Sequence, residues 1–179
     1  AAIGRDAKSA AIGAIIGAAV GGAAGALIGK TMDDRAKEID QDLENAKVER
    51  VGEGILVTFE SGILFDLNEA ELRPQAKENI RELAGILEKY DDTDVVIAGH
   101  TDSTGTEEYN LELSKERAAA VAEFARELGI DASRIRMVGE GEASPVADNS
   151  APEGRAQNRR VEVAIFANEK LKEAAQERL

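Results

Sequence analysis

Residues 95–105 have the sequence VVIAGHTDSTG, in which a run of apolar residues passes directly into a polar loop bounded by glycines. A continuous apolar run of this kind predicts a strand that is buried on both faces of a sheet. Loops that follow such strands are common binding sites in α/β proteins. The stretch therefore predicts an α/β fold and a candidate site at the end of a central strand.

Predicted strands and helices alternate on both sides of this run. Pro74 fits the first turn of a helix, and Gly129 fits the position just after a helix C-terminus. The predicted elements are strands at 55–59, 95–98, 135–138 and 161–165, helices at 74–90 and 110–128, and a short apolar run at 63–65, with a loop over 139–158. Residues 51–167 therefore predict an α/β sandwich with helices against one mixed sheet, followed by a charged C-terminal helix over 168–179.

The first 30 residues form a glycine-rich segment of different character. Residues 9–29 carry no charge, and glycine recurs there at every fourth position, at Gly13, Gly17, Gly21, Gly25 and Gly29. On a helix, this spacing places the glycines near one face, to which a second helix can approach closely. The span is about long enough to cross a bilayer, which needs roughly 20 residues. Two interpretations stay open: membrane association, or a helical hairpin packed on itself that turns near residues 21–22.

Residues 31–50 predict a helical linker. Its apolar residues follow spacings of four and three, at Met32, Ala36, Ile39, Leu43 and Ala46. Such a pattern is a short heptad seam, which serves either a coiled coil or a helix resting on its own domain.

Composition excludes several classes of function. The net charge is −13, and no cluster of Lys and Arg exists to bind nucleic acid. With no Cys and a single histidine, His100, a zinc site would need to be nearly all carboxylate, so we expect no metal and no cofactor. His100, Asp102 and Ser103 are too close in sequence to act as a catalytic triad. The chain also begins without Met, and we expect that a removed signal peptide or a lipid-anchor cysteine preceded it.

Three polar residues near the loop predict a binding site. Asn110 and Arg117 share one face of a helix because seven residues make about two turns, and Asp102 lies shortly before that helix. An acid and a guanidinium at one site could bind a zwitterion, or they could pair with each other. Arg159 and Arg160 precede the last strand, where one is expected to face the site and the other solvent.

These features together resemble the OmpA-like peptidoglycan-binding domain. The residues that carry the resemblance are 99–105, Asn110, Leu113-Ser114, Arg117-Ala118, Val121, Gly129-Ile130, Arg134-Ile135, Gly139, Gly141, Pro145-Val146-Ala147, Asn149, Glu153-Gly154-Arg155 and 158–163, with Phe65-Asp66 and Leu72 to Pro74 upstream. The resemblance covers about residues 51–167 and implies a βαβαββ sandwich. The segment before it resembles the glycine zippers of OmpA-family envelope lipoproteins.

The resemblance also implies a function. A domain of this kind binds the free amino-acid end of meso-diaminopimelate in the peptidoglycan stem, with Asp102 taking the ammonium and Arg117 the carboxylate. Asn110 and Arg159 match further binding positions, and Leu67, Asn68 and Thr104 are the expected pocket walls. We therefore expect a non-enzymatic tether between an envelope membrane and the wall, in the periplasm and associated with the outer membrane. The alternative is a membrane-inserted, oligomerising or channel- or stator-associated protein that the domain only anchors.

Overall fold

A computed structural model describes residues 9–179 and contains one five-stranded mixed sheet. The strands are β1 (Ala46–Val51), β2 (Gly54–Glu60), β3 (Thr93–His100), β4 (Ile135–Gly139) and β5 (Arg160–Ala167). They lie in the order β1-β2-β5-β3-β4, and only β3 and β4 pair in parallel. The last strand thus enters the sheet between β2 and β3, which makes both of these interior strands.

Seven α-helices accompany the sheet in the described part of the chain. They are α1 (Ala10–Ala18), α2 (Gly22–Asp42), α3 (Ser61–Leu64), α4 (Pro74–Lys89), α5 (Glu107–Glu127), α6 (Pro152–Asn158) and α7 (Glu169–Glu177), with a 3₁₀ turn at Ala132–Arg134. Apolar residues of α2, α4, α5 and α7 form one large core with the sheet. Helix α1 packs on the opposite face, where Ala11 and Ile15 meet Leu56, Val96 and Ala164.

The two faces follow from strand periodicity, because successive side chains of a strand point to opposite sides. On β5, Val161, Val163 and Ile165 enter the large core, whereas Ala164 faces α1. Burial on both faces explains why the central strands are almost continuously apolar.

The predicted fold is confirmed, with additions at its ends and in its loops. The 139–158 loop contains α6, and the apolar run at 63–65 forms the end of the one-turn α3 and an isolated bridge from Phe65 to Leu72. Residues 31–50 differ from the predicted helical linker: α2 ends at Asp42, and β1 then pairs with β2. Asn45, with a positive φ of 59°, makes the turn between them.

The seam of α2 rests on its own domain. Met32, Ala36, Ile39 and Leu43 are buried in the large core, whereas Ala46 already belongs to β1. Packing against the sheet therefore accounts for the spacing that a coiled coil would also produce.

The glycine-rich segment is broken into two helices. Helix α1 ends at Ala18 and α2 begins at Gly22, with positive φ at Gly21 (71°) and Gly22 (62°). The break falls where the hairpin interpretation placed a turn, but α1 packs on the sheet of its own domain.

Within residues 9–179, no helix has both the length and the apolar character that a membrane crossing requires.

Helix α5 lies unusually close to the ends of β3 and β4. A Cβ added at Gly99 would collide with the backbone carbonyl of Ser114, and one at Gly139 would collide with the backbone of Lys115. Gly99 and Gly139 are partners in the parallel pair, so two glycines create one flat place for the helix. Only the absence of side chains there allows this approach.

We predict that Gly99→Ala destabilises the protein by about 1–3 kcal/mol, because a methyl group would have to displace helix backbone. The matched control is Gly85→Ala on the exposed side of α4, where no atom of residues 9–179 lies within 4 Å of the added Cβ. We expect the control to be neutral or to stabilise the fold by about 0.5–1 kcal/mol. Urea unfolding of both variants measures the difference, and equal midpoints would contradict the close packing of α5.

Candidate ligand-binding site

The polar loop after β3 is held in shape by Asp102 and Asn110. The Asp102 Oδ1 accepts the backbone N–H of Thr104 at 2.8 Å. The Asn110 amide donates to the carbonyls of Thr104 at 2.9 Å and Asp102 at 3.3 Å. Asn110 is buried. Because Asn110 uses its amide donors on the loop backbone, it positions the site from beneath.

Asp102 forms an ion pair with Arg159, with 2.6 Å between Oδ2 and Nη1. Burial of the carboxyl opposes its ionisation, but hydrogen bonds from Thr104 and Arg159 outweigh burial and hold the pKa of Asp102 below its ordinary value. The Arg159 side chain is 42% exposed. The carboxylate is therefore ionised, and solvent can reach the guanidinium that covers it.

Arg117 is buried beneath the loop that follows α3. Its Nε donates to the carbonyl of Glu69 at 2.9 Å, and its guanidinium lies 5.0 Å from the centroid of the Phe65 ring. A weaker contact of 3.5 Å joins its Nη2 to the carbonyl of Asp66. The loop thus fixes the plane of the guanidinium.

No acidic side chain of residues 9–179 makes an ion pair with Arg117. Burial lowers the pKa of Arg117, Tyr109 opposes that change, and the positive charge of Arg159 adds to it. Arg159 thus contacts Asp102 directly and also opposes the positive charge of Arg117.

The three expected pocket walls lie on the surface around these charges. Leu67 is 85% exposed although it is apolar, and Asn68 and Thr104 are exposed as well. Leu67 and Asn68 stand between the two carbonyls that contact Arg117, and Asn68 has a positive φ of 59°. An apolar side chain held in solvent beside a buried cation is suited to contact a ligand.

The structure gives different partners to polar residues that the sequence suggested would act together. Asp102 and Arg117 do not pair with each other. His100 contacts Glu162 and Glu140, on the face opposite the large core, so it shares no partner with Asp102. One of the adjacent arginines was expected to face solvent, but Arg160, the one that does not reach Asp102, is 2% exposed. The expectation was wrong because carbonyls of Asn158 and Ser144 receive its N–H groups inside the protein.

Sequence reasoning missed the backbone contribution of residues 65–69. Arg117 is oriented by the carbonyls of Asp66 and Glu69 and by the ring of Phe65. Because every residue has a backbone carbonyl, the sequence does not indicate which of them will accept a hydrogen bond. The motif Phe65-Asp66 was the available signal, and it indicated only the connection between strand and helix.

The strand order of the mixed sheet and the polar loop between β3 and α5 define a class of fold, and the comparison with family models identifies that class. The model of the OmpA family matches residues 64–159, and a glycine zipper model matches residues 1–36. The chain belongs to the OmpA family.

Individual relatives agree with this assignment. "Probable lipoprotein YiaD" of Escherichia coli is 42% identical over 118 residues, which are 66% of this chain and 54% of the relative. "Peptidoglycan-binding protein ArfA" of Mycobacterium tuberculosis is 41% identical over 103 residues, 58% of this chain and 32% of the relative. This chain thus spans about half or less of the length of these curated relatives.

A solved structure shares the fold as well. The cell wall anchor of the T6SS from Pseudomonas aeruginosa has a TM-score of 0.64 and 32% identity, and the match covers 79% of this chain and 97% of that one.

We predict that Asp102→Asn lowers stability at neutral pH and flattens its decline in acid. Because the native pKa of Asp102 lies below the ordinary value of 3.8, its contribution is complete above that value. The contribution is lost as pH falls through the native pKa, so the two proteins should converge in acid. Urea unfolding from pH 7 downwards measures this. The exposed Asp40→Asn serves as the control, and a constant difference at every pH would contradict the prediction.

Proposed function

We propose that this chain binds peptidoglycan non-covalently, through the free amino-acid end of meso-diaminopimelate in the stem peptide. The observation that carries the proposal is the buried guanidinium of Arg117 on α5, which has no acidic partner within residues 9–179, together with the ionised carboxylate of Asp102 in the loop that leads into the same helix. A zwitterion would supply a carboxylate for Arg117 and an ammonium for Asp102, which Arg159 covers in the free protein.

The other buried arginines of the described chain provide an internal comparison. Arg35 makes a two-pronged ion pair with Asp92 at 2.7 and 3.0 Å, and Arg160 lies 3.5 Å from Glu162. Arg117 is 6% exposed and comparably buried, yet only carbonyls receive its N–H groups. A buried charge without a counter-ion is costly, so a folded protein tolerates one mainly where a ligand completes it. A carboxylate is the matching group, because guanidinium can bind it through two parallel hydrogen bonds.

The ammonium of the ligand would be received by Asp102. Its carboxylate is kept ionised by Thr104 and Arg159, and an incoming ammonium would share or replace the exposed Arg159. The exposed Leu67 and Asn68 would border the aliphatic part of the ligand, and Thr104 and Asn110 would keep the loop in register.

We propose binding without catalysis. The histidine of the loop motif is directed to the glutamates behind the sheet, and the site itself contains an acid and arginines that suit recognition of charge. Incubation with purified wall fragments should release no products.

The proposed location is the cell envelope, in the periplasm and associated with the outer membrane. The names of relatives support it: one is a probable lipoprotein, one a peptidoglycan-binding protein, and one a cell wall anchor. In such a location the chain would tether the membrane to the wall. Many copies on a repeating polymer would add avidity without new contacts.

We predict that Arg117→Ala abolishes co-sedimentation of the full chain with diaminopimelate-type peptidoglycan. Removal of one charge-assisted pair costs on the order of 1.5–3 kcal/mol, or at least tenfold in affinity. Arg126→Ala on the same helix is the matched control, because Arg126 is exposed and contacts only Glu123 among the described residues. Circular dichroism verifies that each variant is folded.

Two further arms of this experiment test the ligand. Free meso-diaminopimelate should compete with the wall, and lysine-type peptidoglycan should bind more weakly because it lacks the second carboxylate. If both wall types bind equally, the diaminopimelate assignment is wrong although wall binding stands. If Arg117→Ala sediments like the wild type, the site itself is wrong.

Self-association of the glycine segment is a second candidate role. Within the described residues, nothing lies within 4 Å of a Cβ added at Gly13 or Gly17 on α1, and the neighbouring Ile16 is 44% exposed. A groove of about 500 Å³ lies between this face and β4. Under this proposal a second helix packs on the glycines, and Gly17→Leu blocks it. Sedimentation velocity in detergent should show a smaller species for the variant, and identical sizes would exclude the role.

A further inference from the structure

A second polar cluster lies under the start of α1, on the face of the sheet opposite the large core. It consists of His100 at the end of β3, Glu140 just after β4, and Glu162 on β5. His100 and Glu162 have side chains only 1% and 3% exposed, and that of Glu140 is 18% exposed. These residues come from two strands and from the residue that follows a third, and the proposed wall-binding site uses none of them.

The contacts within this cluster are short, but their angles are poor for hydrogen bonds. The Nε2 of His100 lies 2.7 Å from Oε1 of Glu162 and 3.3 Å from Oε2 of Glu140. Among residues 9–179, none of these atoms has a hydrogen-bond partner with suitable angles, and neither has the second ring nitrogen of His100. Buried polar atoms without partners are rare and call for an explanation. An imidazole nitrogen and two carboxylate oxygens that converge at such distances need a proton or a metal ion between them.

The negative charges of the cluster also exceed the positive charge beside them. The described positive neighbour is Arg160, whose Nε lies 3.5 Å from Oε2 of Glu162, the oxygen turned away from His100. Two carboxylates and one guanidinium leave a net charge of −1 when the imidazole is neutral. A buried net charge is costly, so a cation would stabilise the cluster.

The remaining oxygen of Glu140 is committed to the start of α1. Its Oε1 accepts the backbone N–H of Ala10 at 3.1 Å, and the Oγ of Ser144 lies 3.5 Å away. This bond orients the carboxylate so that Oε2 points to His100. Ser9 and Ala10 therefore form the wall of the cluster on the side of α1.

We propose that His100, Glu140 and Glu162 form a binding site for one divalent transition-metal ion, with Zn²⁺ as the best match. Zn²⁺ accepts imidazole nitrogen and carboxylate oxygen, and three protein ligands with a fourth open position are a common set. Two ligands of a tetrahedral Zn²⁺ with bonds of 2.0–2.1 Å lie about 3.3 Å apart. The His100–Glu140 distance already has this value, and the His100–Glu162 distance would open by roughly 0.6 Å.

A single proton explains the cluster less completely. A protonated imidazole would bridge Nε2 to one carboxylate, but three acceptor atoms converge, and a metal ion satisfies all three at once. The sequence predicted no metal site because only one histidine is present. Because Glu140 and Glu162 are far from His100 in sequence, their meeting on one face of the sheet could not be predicted from spacing.

The test uses the full chain after treatment with a chelator and dialysis. Because His100 is the single histidine, its ring signals in an NMR spectrum report on this site without ambiguity. On titration with ZnCl₂, we expect these signals to shift and to saturate at one Zn²⁺ per chain. Co²⁺ should give the visible absorption of a low-coordinate complex at the same stoichiometry.

Variants connect the signal to the proposed ligands. Glu140→Gln should weaken Zn²⁺ binding by about tenfold or more, and Glu142→Gln, two residues away and outside the cluster, should bind like the wild type. Circular dichroism checks that Glu140→Gln is folded, and the wild-type titration decides the matter if it is not. The proposal is overturned if excess Zn²⁺ leaves the His100 signals unchanged, which would assign a proton to the cluster. It is also overturned if Glu140→Gln binds as tightly as the wild type.

Discussion

The direct contact of α5 with the ends of β3 and β4 is the constraint on which the rest of the site depends. Gly99 and Gly139 provide the flat surface for it, and the Oγ of Ser114 secures it by accepting the N–H of Gly141 at 2.9 Å. Because the helix is fixed at this point, Asn110 reaches the loop backbone one turn earlier and Arg117 reaches the opposite loop about one turn later. A side chain on either glycine would displace α5 and with it both Asn110 and Arg117. The fold and the site therefore depend on the same close contact.

The strand ends divide polar residues between two clusters by simple alternation. Arg159 reaches Asp102 in the loop, and the next residue, Arg160, turns to the face under α1. His100 ends β3 on that same face, just before the chain leaves the sheet for the loop. One end of the sheet can therefore hold a solvent-accessible charged site and a buried one within a few residues. Alternation also explains why adjacent arginines can serve unrelated purposes.

The sequence predicted the fold well because the signals that decide it, apolar runs and the positions of glycines, are local. Apolar runs and Gly129 located β3 and the end of α5, and spacing placed Asn110 and Arg117 on one helix face. Contacts across long sequence distances were beyond such reasoning. The partner of Asp102 is 57 residues away, and the acceptors of Arg117 are backbone carbonyls 48 and 51 residues away. Likewise, α1 packs on the sheet through Ala11 and Ile15 of an uncharged, glycine- and alanine-rich helix, a composition that suits a membrane helix equally well.

The strength expected of the proposed wall site follows from its small size. An ammonium on Asp102 and a carboxylate on Arg117 provide a few charge-assisted hydrogen bonds of about 1.5–3 kcal/mol each. Loss of translational and rotational freedom on association costs at least about 4 kcal/mol, and Arg159 must yield part of its own ion pair. One domain alone should therefore bind weakly and release quickly. Lasting attachment by the proposed site would then require several copies near the wall, and the proposed self-association of α1 on the far face of the sheet is one way to hold them there.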